Sequence, residues 1–170
     1  HEYMRTFTDY MADFGGANRV LIAVVAKDGN MFSKQYMSTL ENITNDVINL
    51  DATDDAKVRS LFTPNVRFIE VVEDGLSGGN VIPQDFTPNQ DGFEATPEQF
   101  ATIKGNIVKA VLVGLLVAKD YSGSMVWGDL IPESDVNKLD YQAVAKQLEN
   151  IRLKYENENT SVHIIGFAKL

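Results

Sequence analysis

Apolar residues recur along this chain with two distinct periods, and the switch between them marks out the elements. Between residues 1 and 14, Tyr3, Met4, Phe7, Tyr10, Met11 and Phe14 recur at a spacing of three to four, the pattern of an amphipathic helix. Gly15-Gly16 stops it. Residues 18–27 contain VLIAVVA, apolar at every position, which predicts a central strand covered on both faces. After a turn at Asp28-Gly29-Asn30, Ser33 is placed to cap a helix with Tyr36, Met37, Leu40, Ile43, Val47 and Leu50 on its inner face. Residues 57–62 read as a second strand, broken by Thr63-Pro64-Asn65. Residues 66–73 continue as an extended segment that turns at Asp74-Gly75 toward residues 80–82.

The second half has the same grammar. Residues 83–95 form a polar loop in which Phe86 and Phe93, flanked by Asp85, Pro88, Asp91 and Glu94, are expected near the outer surface. Thr96-Pro97-Glu98-Gln99 is a helix start, with a Thr cap, Pro at the first position and Gln completing a capping box. The helix it opens carries Phe100, Ile103, Ile107 and Val111 on one face. Residues 114–118 and 124–131 read as a hairpin about Asp120-Tyr121-Ser122-Gly123. Asp140 caps a last helix with Val144, Leu148, Ile151 and Tyr155 inward, and residues 160–168 form the last strand.

With residues 73–118 set aside, the order is strand, helix, strand, strand, helix, strand. The expected class is therefore α+β: a ferredoxin-like split βαβ (βαββαβ) unit with an N-terminal helix and an inserted helix plus extra strands. Residues 1–170 are read as one domain, with core 18–72 and 119–168 and insertion 73–118. In this topology the first and last strands are antiparallel neighbours, which should pair Val20 with Gly166.

Composition narrows the function. A chain of 170 residues with 44% apolar content is long enough to bury a core without staples. A net charge of −9 speaks against nucleic acid and against anionic membrane surfaces as partners. With no cysteine, disulfides, zinc–thiolate sites and thiol catalysis are excluded. No apolar run reaches the roughly 20 residues of a membrane span. The longest, residues 111–118, is interrupted by Gly114. The chain opens on His1 rather than Met, which fits an excised fragment and a trimmed tag equally well, and it stops on a bare strand.

Candidate chemistry is sparse. His1 and His163 lie at opposite ends of the sequence, and His163, inside the last strand, reads as a half-buried structural residue. No H-x-x-x-H spacing exists for zinc. Asp51, Asp54 and Asp55 lack the glycine and the spacing of a calcium loop. Glu70, Glu73 and Asp74 have the composition for acid–base work but read as a solvated strand face. Gly15-Gly16 and Gly78-Gly79 belong to no phosphate-binding motif, and Ser122 and Ser124 have no nucleophile-elbow setting. The Asp28-Gly29-Asn30-Met31 turn lacks the arginine that an acylphosphatase-like loop would need. No catalytic, cofactor-binding or metal-binding residue is expected, and the chain is not expected to be an enzyme. One surplus stands out: Met125, Trp127 and Ile131 face away from Val126, Gly128 and Leu130, and Ile165 and Phe167 lie opposite Ile164. A second sheet face this apolar must be covered by the insertion, by another domain or by another subunit.

Four segments carry a resemblance: HEYMRTFTDYMADFGGANRVLIAVVAKDGNMF, VRSLFTPNVRFIEVVEDGLSGGNVIP, VGLLVAKDYSGSMVWGDLI and LKYENENTSVHIIGFAK. In this order they resemble the first large extracytoplasmic loop of predicted exporters of the RND superfamily, in the MMPL-related branch. The resemblance implies a non-catalytic porter-type domain, fixed to the extracytoplasmic (periplasmic) face of a membrane within an integral protein. Its partners would be the other domains of the same transporter and a hydrophobic or lipid-like substrate, and homo-oligomerisation of the full transporter is compatible with it. Phe86 and Phe93 are then the candidate substrate or partner contacts. The alternative from the residues alone is a stand-alone ferredoxin-like small-molecule-binding or regulatory domain that dimerises through its open sheet face.

Overall fold

A computed structural model describes residues 18–132 and 138–166. The expected helix over residues 1–14, the Gly15-Gly16 stop, His1 and Phe167 lie outside the described residues. The described chain is mixed α and β, with three α-helices and two antiparallel sheets. In chain order these are β1 (Arg19–Ala26), α1 (Lys34–Ile48), β2 (Arg67–Val72), β3 (Gly75–Asn80), α2 (Pro97–Lys109), β4 (Gly123–Asp129), α3 (Tyr141–Tyr155) and β5 (Thr160–Gly166).

The larger sheet has the order β4-β1-β5. Its central strand is the all-apolar one, because only a strand with neighbours on both edges can lose both rows of backbone groups to pairing. Val20 sits directly opposite Gly166, so the expected antiparallel pairing of first and last strands is the register of the sheet. On the other side, Val20 faces Gly128 and Val24 faces Ser124. Gly123 is required at the end of that ladder, since a Cβ there would overlap the Val24 carbonyl oxygen.

Helices α1 and α3 lie side by side on one face of this sheet. Val47 of α1 reaches the spot where a Gly128 side chain would stand, and α3 packs on β5 and α1. Between them Val20, Ile22, Val24, Val126, Val162 and Ile164 are buried with Met37, Leu40, Ile43, Val144 and Leu148. The Tyr36 hydroxyl donates to the Val24 carbonyl at 2.7 Å and pins α1 to β1. Burial drives its pKa well above the ordinary phenol range, with the Ser124 backbone N–H opposing in part. Both caps form as read: Ser33 accepts from the Tyr36 amide, and Asp140 from the amides of Gln142 and Ala143. Tyr155, on the inner face of α3 but only half-buried, donates its hydroxyl to Asp46 of α1 at 2.7 Å.

Three expectations need correction. Residues 57–62 are not a regular strand. A short 3-10 turn (Asp55–Lys57) leads to a single bridge, Arg59 to Trp127, on the outer edge of β4. The Ser60–Thr63 turn, closed by the Thr63 hydroxyl and amide on the Ser60 carbonyl, ends the extension after one residue pair. Residues 114–118 likewise make one antiparallel bridge to β4, Val117 to Ser124, rather than a hairpin ladder. Finally, α2 starts on the full Thr96–Gln99 capping box but ends before Val111, which turns outward at φ 56°.

The smaller sheet is the β2–β3 hairpin, turning at Glu73-Asp74 with Val71 opposite Leu76. It rests against the end of α2, where Lys109 pairs with Glu70 at 2.7 Å and stands over the Phe68 ring.

Candidate functional site: the open face of the larger sheet

Alternation along each strand sends one set of side chains to the helices and the other to the opposite face. On that opposite face stand Leu21, Ala23 and Val25 of β1, Met125 and Trp127 of β4, and Ile165 of β5. All are half-buried except Ile165, which is exposed. No described helix packs there. The insertion reaches only one edge: residues 114–118 lie along β4 and, with Ala23, Val25 and Met125, enclose an apolar groove of about 270 Å³. The expected two-sided covering of β1 is therefore complete on the helix side and partial on this one.

The far end of the face is polar and positively charged. Trp127 lies between two guanidinium groups, Arg19 at 5.2 Å and Arg59 at 5.5 Å from its ring. Arg19 is also paired with Asp129 at 2.7 Å. Each such cation–π contact is worth about 0.5–1 kcal/mol at exposed positions. Among the described residues the Trp127 Nε1–H and the Ser124 hydroxyl have no hydrogen-bond partner. His163 projects from β5 onto this face and is exposed, not half-buried as its apolar flanks suggested. It stands on the edge strand of the sheet, on a face that no described helix covers.

Phe86 and Phe93 are not on this face, and Phe86 is not on the surface at all. Its ring is 3% exposed, edge-on to Phe93 at 5.2 Å and to Phe100 at 5.6 Å. Phe93 is half-buried, and its carbonyl accepts from the Lys34 ammonium. The polar residues around them misled the reading. A loop that caps the α1–α2 cleft turns Phe86 down onto Phe100, lays Phe93 on Phe86 and leaves Asp85, Asp91 and Glu94 in water.

The acidic groups form no site. Asp54 pairs with Lys57 and Glu70 with Lys109, whereas Asp51, Asp55, Glu73 and Asp74 are exposed. Among the described residues no group of three or more His, Asp or Glu could hold a metal ion, and no helix is long and apolar enough to cross a membrane. What the open face offers chemically is apolar contact and a pair of arginines; the indole N–H is buried. No protein-family model matches this chain, and no curated protein matches it in sequence.

Proposed function

We propose that this chain is a non-catalytic extracytoplasmic porter-type domain of an RND-superfamily exporter related to the MMPL branch, built on a ferredoxin-like split βαβ unit. The observation that carries the reading is the pairing of Val20 with Gly166. A loop strung between two neighbouring membrane helices must enter and leave its domain at adjacent points, and antiparallel first and last strands provide that geometry. The order β5-β1-β4, with the Arg59 bridge beyond β4, supports the split βαβ part of the reading, its second strand shortened to one residue pair. The open apolar face supports a role in which other domains of the transporter, or a hydrophobic substrate, meet the sheet.

The coding sequence around this segment tests it. Apolar runs of about 20 residues on both sides are expected. A stop codon and an unrelated soluble domain in their place would overturn the exporter reading. The groove beside Met125 favours a second reading, a stand-alone ferredoxin-like binding or regulatory domain. That reading requires a dimer in solution held through the same face, so a strictly monomeric chain at high concentration removes it.

A further inference from the structure

The end of α2 carries a strained, exposed residue. The Val111 amide donates to the Val108 carbonyl at 3.0 Å and the Leu112 amide to the Ile107 carbonyl at 3.1 Å, the paired bonds of a Schellman helix stop. That stop places its left-handed residue at Val111, where glycine is the usual occupant, yet the chain puts a β-branched side chain there at φ 56°. Val111 is 77% exposed, so no packing among the described residues repays the strain. Backbone strain kept without an internal return is a pointer to function.

The loop behind it is closed by its own hydrogen bonds. The Leu112 carbonyl accepts from the amides of Leu115, Leu116 and Val117, while Leu112, Leu116 and Val117 are buried beneath. Their alternates Val113 and Leu115 face outward, beside Val111 and Val108. The charge around this patch is opposite to that of the molecule. From Gln99 to Lys119 there is no acidic residue and there are three lysines, in a chain of net charge −9. Lys104, one helical turn before Val108, stands over the Tyr121 ring at 4.6 Å. The Lys119 stem lies against Gly114 in the loop. Neither has an ion pair among the described residues, whereas Lys109 is neutralised by Glu70. The next acid in sequence, Asp120, accepts from the Ser122 amide and hydroxyl rather than from a lysine.

We propose that this loop is a membrane-surface contact: Val108, Val111, Val113 and Leu115 enter the interfacial layer of an anionic bilayer, with Lys104 and Lys119 at the lipid phosphates. The composition favours lipid over protein. Protein interfaces concentrate Trp, Tyr and Arg and deplete Lys, whereas aliphatic side chains ringed by lysines whose stems can snorkel suit the bilayer interface. The net charge, which speaks against anionic membrane for the molecule as a whole, is outweighed at this loop, because at physiological salt charges beyond about 8 Å are largely screened. It orients the molecule instead, turning the acidic remainder outward. The inference does not require the exporter reading, since the loop belongs to the domain itself.

The test uses the whole chain, whose lack of native cysteine allows Val113→Cys to be labelled with an environment-sensitive dye. Equimolar phosphatidylglycerol–phosphatidylcholine vesicles should raise its emission severalfold, and phosphatidylcholine alone should not. Salt near 1 M, which cuts the Debye length to about 3 Å, should reverse the rise. The Lys104→Glu/Lys119→Glu pair should lower the vesicle-bound fraction tenfold or more while the chain keeps its cooperative melting transition, shifted only by the loss of the Lys104–Tyr121 contact. Val111→Gly should bind more weakly while being more stable, a combination that damaged folding cannot produce. The same label at Val71→Cys, on the exposed but acid-flanked hairpin, should stay in water. Absence of binding, an equal response at Val71, or indifference to the lysine reversals would overturn the proposal. So would a concentration-dependent rise without lipid, which marks a protein interface.

Discussion

Val111 holds a conformation that costs a β-branched residue about 1–3 kcal/mol, and its side chain buries almost nothing in return. Val111→Gly is therefore expected to raise the unfolding free energy by roughly 1 kcal/mol, less than the full strain because glycine loses more backbone freedom on folding. A denaturant titration showing a lower midpoint would contradict the left-handed assignment. Glu156 supplies a second residue-scale prediction. Its carboxylate accepts the outward amide of Val162 on the free edge of β5 at 2.7 Å, and that bond, with help from Lys27, Arg152 and His163, lowers its pKa below the ordinary 4.5. A depressed folded pKa stabilises the fold above the unfolded value, and the contribution is lost as pH falls through the folded value. Between pH 5 and 3, on either side of that ordinary value, the native chain should lose more stability than Glu156→Gln does; equal acid sensitivity would show the bond to contribute nothing. The same carboxylate occupies an edge amide that would otherwise invite pairing with another strand.

At the scale of elements, the helix starts are local chemistry and behave as such. Thr96 accepts from the Gln99 amide while the Gln99 side chain accepts from the Thr96 amide, so Thr96→Ala should cost about 1 kcal/mol. The loss should appear in thermal melting without any change in the hairpin or the larger sheet. Strand pairing is less forgiving. Gly123→Ala drives a Cβ into the Val24 carbonyl and to 3.1 Å from the Val25 Cα. Because the obstruction is backbone, the strands must separate, and a loss of about 1–3 kcal/mol or more is expected. A variant as stable as the parent would mean that the β1–β4 ladder ends earlier than described.

For the whole molecule, the decisive relation is that between the first and last described strands. Leu21 faces Ile165 on the open side of the sheet, and residues so paired have Cα atoms about 5.5 Å apart, within disulfide reach. Leu21→Cys/Ile165→Cys should oxidise readily, and closing so long a loop should add about 4–5 kcal/mol in the chain-entropy account. A one-residue slip would put the two thiols on opposite faces and leave them reduced, so mass spectrometry of the oxidised chain reads the register directly.

Much of this was legible in the sequence because it is written in short-range chemistry. Ser33, Thr96 and Asp140 announce their helices through groups within three residues. The all-apolar run of β1 announces a central strand, and its pairing with β5 followed from the order of the elements. Other features depended on what lies far away in sequence. Phe86 and Phe93 read as exposed from their polar neighbours, yet Phe100, on another element, draws Phe86 inside, and Phe93 packs edge-on against Phe86. Residues 57–62 carry a strand's composition, but a turn beginning at Ser60 leaves Arg59 alone beside Trp127. Val111 continues the apolar helical period two residues past Lys109, where the helix ends, and is itself the left-handed residue of the Schellman stop. Periodicity shows which residues can share a face, whereas the partners that occupy that face, and the point where backbone hydrogen bonding gives out, are settled only when distant segments compete for the same space.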